Sequence, residues 1–229
     1  MGRVRAVREG PAWRMGFAAT EAAAGAGRLL PEERALVAGS SAARLEEFGT
    51  GRHCARTALA CLDPELGRMP VLADPRGAPR WPPGTVGSIT HCAGWTGAVA
   101  ARYRGSRFGR GVRSLGLDAE PIAPLPAGVL DVIASDAERE ALERLGAAQP
   151  VIPWDTLLFS AKEAAYKASY PLTGILLAHD AVSVRLLPSG RFSAVVTADD
   201  PGGGRPLVHR VHGRWALGPR VLVALGVIP

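Results

Sequence analysis

Lysine is almost absent from this chain. Of its 229 residues 27 are basic, and only Lys162 and Lys167 among them are lysine, the other 25 being arginine. With 28 glycines and 19 prolines, this is the composition a GC-rich genome produces, one that replaces exchangeable surface lysines with arginine. A lysine that persists against that drift is expected where a compact ammonium cannot be exchanged for a planar guanidinium. Cysteine is also scarce: Cys54, Cys61 and Cys92 are odd in number and form no CxxC spacing, so neither a disulfide framework nor a structural zinc site is expected. No run approaches the ~18 uninterrupted apolar residues of a membrane span, and no apolar stretch of signal-peptide length follows the first ten residues. The chain therefore reads as soluble, cytoplasmic and without a membrane partner. The arginines form no block of five like charges, and aromatics, at 6%, are too few and irregular to stack successive bases. That leaves nucleic-acid binding supported by little beyond the net charge of +6, which suits an anionic partner in general.

What is there is enough apolar residue, 47%, for one large core or two modest ones. Residues 28–62 carry a Pro-Glu-Glu start and apolar residues at helical spacing, with Gly49 and Gly51 expected to interrupt or bend the helix. The Pro- and Gly-dense stretch 64–84 reads as turns around short strands. Residues 85–102 and 112–121 read as buried strands. A helical stretch follows over 129–146, where Ser135, Asp136 and Glu138 offer a cap and restart. The strongest helix spans 154–170, with Leu157, Leu158, Ala161, Ala165 and Ala168 on one apolar face and Pro171 expected to stop it. Strand-like segments such as "AVSVRLL", "RFSAVVTA" and "VLVALGV" complete the chain. Helix followed by strands occurs in each half, which points to a two-lobed α/β (α+β) arrangement.

Side chains alternate along a strand, so in "SLGLDAEP" Asp118 and Glu120 project the same way, about 6–7 Å apart. Two carboxylates so placed either end a solvated strand or approach one hard divalent cation, whose charge would relieve their repulsion. Glu163 likewise has two readings. It stands four residues before Lys167, an ordinary helix pair, but with Lys162 beside it the three also suit a phosphate-and-metal site. In "GSITHC", Gly87 and Ser88 permit close backbone approach, while Thr90 and His91 supply donors; His91 alone reads equally as a satisfied core histidine. Arg52 and Arg56, at i and i+4, add phosphate-directed donors on one helix face.

"GRHCAR" at 51–56, "WPPGTVGSITHCAGW" at 81–95, "GLDAEP" at 116–121 and "LFSAKEAAYKA" at 157–167 stand in one order. Together they resemble the Sfp-type 4'-phosphopantetheinyl transferases, closest to the bacterial branch that includes enterobactin synthase component D. The resemblance covers roughly residues 30–195. It implies a pseudo-dimeric fold of two similar lobes, here 1–112 and 113–229, with coenzyme A between them and the metal site in the second. It further implies transfer of the phosphopantetheine arm to a serine of an acyl or peptidyl carrier protein, typically an acidic helical bundle, and the two-lobed pattern favours a monomer. Carried over residue by residue, Asp118, Glu120 and Glu163 correspond to Mg2+ ligands; as catalytic residues Glu163 is expected to accept the serine's proton and Lys167 to stabilise the phosphate. Lys162 and Lys167 correspond to lysines directed at the coenzyme's phosphates. Arg44, Arg52 and His91 match nucleotide and 3'-phosphate positions, Ser88 and Thr90 lie in the same cofactor-binding strand, and Arg76 stands near the adenine. Ala73 departs from relatives that carry lysine nearby. A noncatalytic coenzyme A or nucleotide-binding regulator is the alternative, disfavoured by the intact acidic positions and lysines.

Overall fold

A computed structural model describes residues 4–9, 13–22, 25–103, 111–199 and 203–229. The chain is an α+β protein that divides into two compact units, Met1–Leu115 with Pro229, and Gly116–Ile228.

The first unit holds β1 (Val4–Glu9), β2 (Trp13–Thr20), α1 (Pro31–Ala35), α2 (Ala42–Ala60), β3 (Leu72–Ala73), β4 (Pro79–Arg80), β5 (Thr85–Cys92) and β6 (Trp95–Arg102). Its main sheet runs β1-β2-β6-β5 with every neighbour antiparallel. The long helix α2 begins where the Ser41 hydroxyl accepts from the Arg44 N–H at 3.3 Å. It packs on β2, β5 and β6 through a core of small residues, among them Cys54, Ala55, Ala58, Ala98 and Ala100. Helix and sheet approach so closely that a Cβ on Gly16 would lie 1.9 Å from the Ala58 carbonyl oxygen. The expected interruption at Gly49 and Gly51 does not occur, and α2 runs through both. These glycines admit neighbours: a Cβ at Gly49 would lie 2.4 Å from the Gly25 carbonyl oxygen, and one at Gly51 3.2 Å from Ile89. The helical stretch breaks instead between α1 and α2, where Gly39 has φ of +79°.

The second unit holds most of β7 (Ser114–Pro121), then α3 (Val129–Ile133), α4 (Asp136–Ala148), α5 (Trp154–Thr173), β8 (Val182–Leu187), β9 (Arg191–Ala198), β10 (Leu207–Leu217) and β11 (Val221–Ile228). The sheet order is β7-β11-β10-β9-β8. α5 lies on one face, and its Leu157, Leu158, Ala161, Ala165 and Ala168 are wholly buried against Val196, Val211, Leu222 and Ala224. Each such leucine contributes about 2 kcal/mol by leaving water. Pro171 does not stop α5: it lies exposed in the last turn, where a missing hydrogen bond is tolerated, and the helix ends at Gly174, with φ of +66°.

Over β8, β9 and β10 the other sheet face is open, whereas Leu115, Leu117 and Ala119 of β7 are buried on it. Arg185, Arg191, Arg210, His212 and Arg214 are all exposed on it, alternating with buried Leu186, Phe192 and Val211. In register, Arg191 stands directly opposite Arg214. No aspartate or glutamate occurs anywhere on β8, β9, β10 or β11.

Candidate active site

In the first unit, Arg44, Phe48, Arg52 and Arg56 recur every four residues and share one face of α2. The Phe48 ring centroid lies 5.8 Å from the Arg44 guanidinium and 4.1 Å from that of Arg52. Arg52 is buried and donates to the Leu72 carbonyl at 3.1 Å. Burial brings its pKa down to about 10; Glu33 opposes the fall, and Arg44 and Arg56 add to it. Arg56 is committed to the buried Glu33 carboxylate and to the Arg28 carbonyl. Glu33 also accepts from the Val71 and Leu30 N–H groups, at 3.0 and 3.1 Å. Arg52 and Arg56, expected as phosphate-directed donors, thus turn inward and tie α2 to α1 and β3.

Arg44 and His91 are different. Both are about half exposed, and one oxygen of Glu47 serves both: it accepts from Arg44 and stands 3.5 Å from His91 Nε2. Ser88 and Thr90 precede His91 along β5 and are buried. The close approach at Gly87 is taken by a core side chain, since a Cβ there would lie 2.5 Å from the Trp81 ring. Arg76 is exposed in the turn joining β3 to β4, where the Asp74 carboxylate accepts from the Arg76 and Ala78 N–H groups, both at 2.8 Å.

In the second unit, Gly116 brings β7 onto α5: a Cβ there would lie 1.8 Å from the Ala164 carbonyl oxygen. Two residues along β7, Asp118 is buried and accepts from Lys167 Nζ at 2.6 Å. Glu120, on the same face, is half-buried. Burial pushes its pKa up to about 7; Asp118 and Glu163 push the same way, and Lys167 opposes them. Asp118, Glu120, Glu163 and Lys167 therefore share one electrostatic neighbourhood, three carboxylates against one ammonium. Such hard oxygen donors, crowded together with a single ammonium beside them, fit a hard divalent cation. Among the described residues, no three His, Cys, Asp or Glu side chains are gathered as a ready metal site.

Lys162, expected to face phosphates, is only 2% exposed; its ammonium donates to the Val182 carbonyl at 2.7 Å and lies 3.0 Å from Glu138 Oε2. Its placement is that of a buried ion-pair partner. Beside it, a cleft of about 220 Å³ is lined by Lys162, Glu163, Tyr166, Leu176, Leu177 and Val182.

Residues 32–101 match the family described as 4'-phosphopantetheinyl transferase N-terminal domain, and residues 114–217 match the 4'-phosphopantetheinyl transferase superfamily. The chain belongs to that superfamily. It is 46% identical over 196 residues, 85% of its own length and 76% of the relative's, to the 4'-phosphopantetheinyl transferase Svp of Streptomyces mobaraensis. The 4'-phosphopantetheinyl transferase PptT of Mycobacterium tuberculosis is 42% identical, with 87% and 85% covered, and Npt of Nocardia iowensis 41%, with 82% and 83%. The protein is thus an enzyme that transfers a phosphopantetheine group, which sets aside the noncatalytic binder. The matches stand at the level of the superfamily, not of one branch.

The residues that hold this transferase's charged groups in place carry little signal in the sequence. Glu33 and Glu47 carried no signal beyond helical charge. Glu138 was legible as the third residue of a Ser-x-x-Glu cap, but its partnership with Lys162 joins residues 24 positions apart.

Proposed function

We propose that the transferase moves the 4'-phosphopantetheine arm of coenzyme A to a serine hydroxyl of an apo acyl or peptidyl carrier protein. What supports this most is the neighbourhood of Asp118, Glu120, Glu163 and Lys167, whose excess negative charge calls for a cation. Asp118, Glu120 and Glu163 would hold Mg2+, which when bound neutralises charge on the coenzyme's pyrophosphate. Lys167, part-exposed beside Asp118, adds point-charge stabilisation to the departing phosphate. Glu163, directly or through water, takes the proton of the carrier serine. The serine oxygen bonds to the phosphorus that bears the arm, the bond to the second phosphate breaks, and adenosine 3',5'-bisphosphate departs.

The cleft beside Glu163, with Tyr166, Leu176 and Leu177 in its wall, suits the apolar part of the arm. In the first unit Arg44 and His91, both about half exposed, suit the nucleotide's 3'-phosphate, and Arg76, Ser88 and Thr90 suit its further contacts. The segment 121–150 carries the exposed Ile122 and Val132 and is the candidate carrier-facing element. The enzyme works as a cytoplasmic monomer in this reading. No helix among the described residues is long and apolar enough to cross a membrane.

The deciding experiment is incubation with coenzyme A, Mg2+ and an apo carrier, read by the intact mass of the carrier. A gain of one phosphopantetheine group, abolished by EDTA and by Asp118→Ala, is expected. Glu163→Gln is expected to lower turnover by about 10²-fold or more at saturating Mg2+; near-normal turnover would remove the base role. No gain on any carrier, with coenzyme A still bound, would defeat the assignment.

A further inference from the structure

β8 is an edge strand, paired with β9 on one side. Its outer side is met by two buried side chains of opposite charge instead of another strand. Lys162 Nζ, on α5, donates to the Val182 carbonyl at 2.7 Å, and Glu138 Oε1, on α4, accepts from the Val184 N–H at 2.8 Å. The other Glu138 oxygen accepts from the Ser135 N–H at 2.9 Å and the Ser135 hydroxyl at 3.1 Å, and lies 3.0 Å from Lys162 Nζ. Both residues are more than nine-tenths buried. The ion pair thus supplies one donor and one acceptor to the strand, as a neighbouring strand's backbone would, and joins α4, α5 and β8 at one point. Lys162 and Val182, the two ends of this link, also line the cleft beside Glu163.

We infer that Glu138 and Lys162 form a positioning clamp that holds β8 against α5 and so fixes the wall of the cleft that receives the pantetheine arm. Neither residue is given a contact with the reacting atoms. The inference rests on the reading that this cleft takes the arm, and it implies a selective defect: loosening the clamp weakens binding of the arm but not of the nucleotide half. A residue that served only global stability would weaken both or neither.

The test compares the wild-type protein with a double variant, Glu138→Gln with Lys162→Met, which removes both charges and leaves no buried ion unpaired. Hydrogen exchange is followed in the peptide covering 182–187, and binding of coenzyme A and of adenosine 3',5'-bisphosphate by calorimetry. Exchange in β8 is expected to speed up, coenzyme A to bind about tenfold more weakly, and the bisphosphate to stay within about twofold, as a misplaced pocket wall requires. Should the double variant not fold, Glu138→Asp, one methylene short, carries the same test and is expected to show the same selective loss. Unchanged exchange or unchanged coenzyme A affinity would overturn the clamp. So would equal weakening of both ligands, the mark of a residue that serves global stability alone. If the wild-type protein binds neither ligand, the functional reading fails, while the exchange comparison still decides whether the clamp exists.

Discussion

Glu33 has no solvent exposure, and its two oxygens accept from Arg56, Val71 and Leu30. Glu33→Gln leaves the Arg56 charge buried without its counter-ion, and the expected loss is about 3–5 kcal/mol in urea unfolding. His53 makes a subtler prediction. Its Nε2 accepts from Arg28 at 2.6 Å, and burial, then Arg28, then Arg56, lower its pKa from the ordinary value. Folding therefore favours the neutral ring: this contribution is fully present above the unfolded pKa of about 6.5 and is lost as pH falls through it toward the lower folded value. His53→Gln is expected to flatten the fall in unfolding free energy between pH 7 and pH 5, approximately the range over which the unfolded imidazole takes its proton; an unchanged slope would mean that the ring titrates normally. At this scale the motif letters named the residues of the second unit's charged cluster, because Asp118, Glu120, Glu163 and Lys167 recur at short, recognisable spacings. What the letters could not say is which way a charged side chain turns. Arg52 and Lys162 look like ligand donors in sequence and are buried in the structure, because the groups that hold them, the Leu72 carbonyl and Glu138, are 20 and 24 residues away in the chain. Cys54 is buried: its thiol donates toward the Thr96 carbonyl, and burial pushes its pKa up to about 11, which disfavours the thiolate.

Elements were more legible than side-chain directions, and the reasons are local. α5 announced itself by five apolar positions on one face, and the restart at α4 by a Ser135–Glu138 cap that forms reciprocally. Glycine misled. Gly49 and Gly51 lower helix propensity by about 1 kcal/mol each, yet packing against the Gly25 carbonyl and Ile89 outweighs that within a 19-residue helix. β1, β2 and β10 carried no clear signal; β10 in particular mixes arginine, histidine and Gly213 with short apolar runs, since one of its faces is solvated. The glycine that matters most for the site is Gly116. Gly116→Ala forces a methyl group against the α5 backbone and is expected to destabilise by about 1–3 kcal/mol. Because the shift moves β7 relative to Lys167, transfer activity should fall further than stability at a temperature where the variant stays folded. Full activity in a folded Gly116→Ala protein would show that the Asp118–Lys167 contact tolerates displacement.

Across the whole molecule the net charge is +6, and a carrier of opposite sign would be drawn to it at long range. Raising salt from about 50 to 500 mM is expected to increase the carrier KM while leaving the coenzyme A KM less affected, since the screening length falls from about 14 to 4 Å. A salt-insensitive carrier KM would remove electrostatic docking from the account. The open face of β8, β9 and β10 has a more practical consequence. Arg191 and Arg214 face one another across neighbouring strands, and β8 to β11 hold no carboxylate to divide them. On a phosphocellulose or heparin column Arg191→Glu with Arg214→Glu should therefore elute at distinctly lower salt than two equal charge reversals placed elsewhere. Nucleic acid carried through a low-salt purification would adhere in the same way, as adsorption to a charged wall rather than recognition.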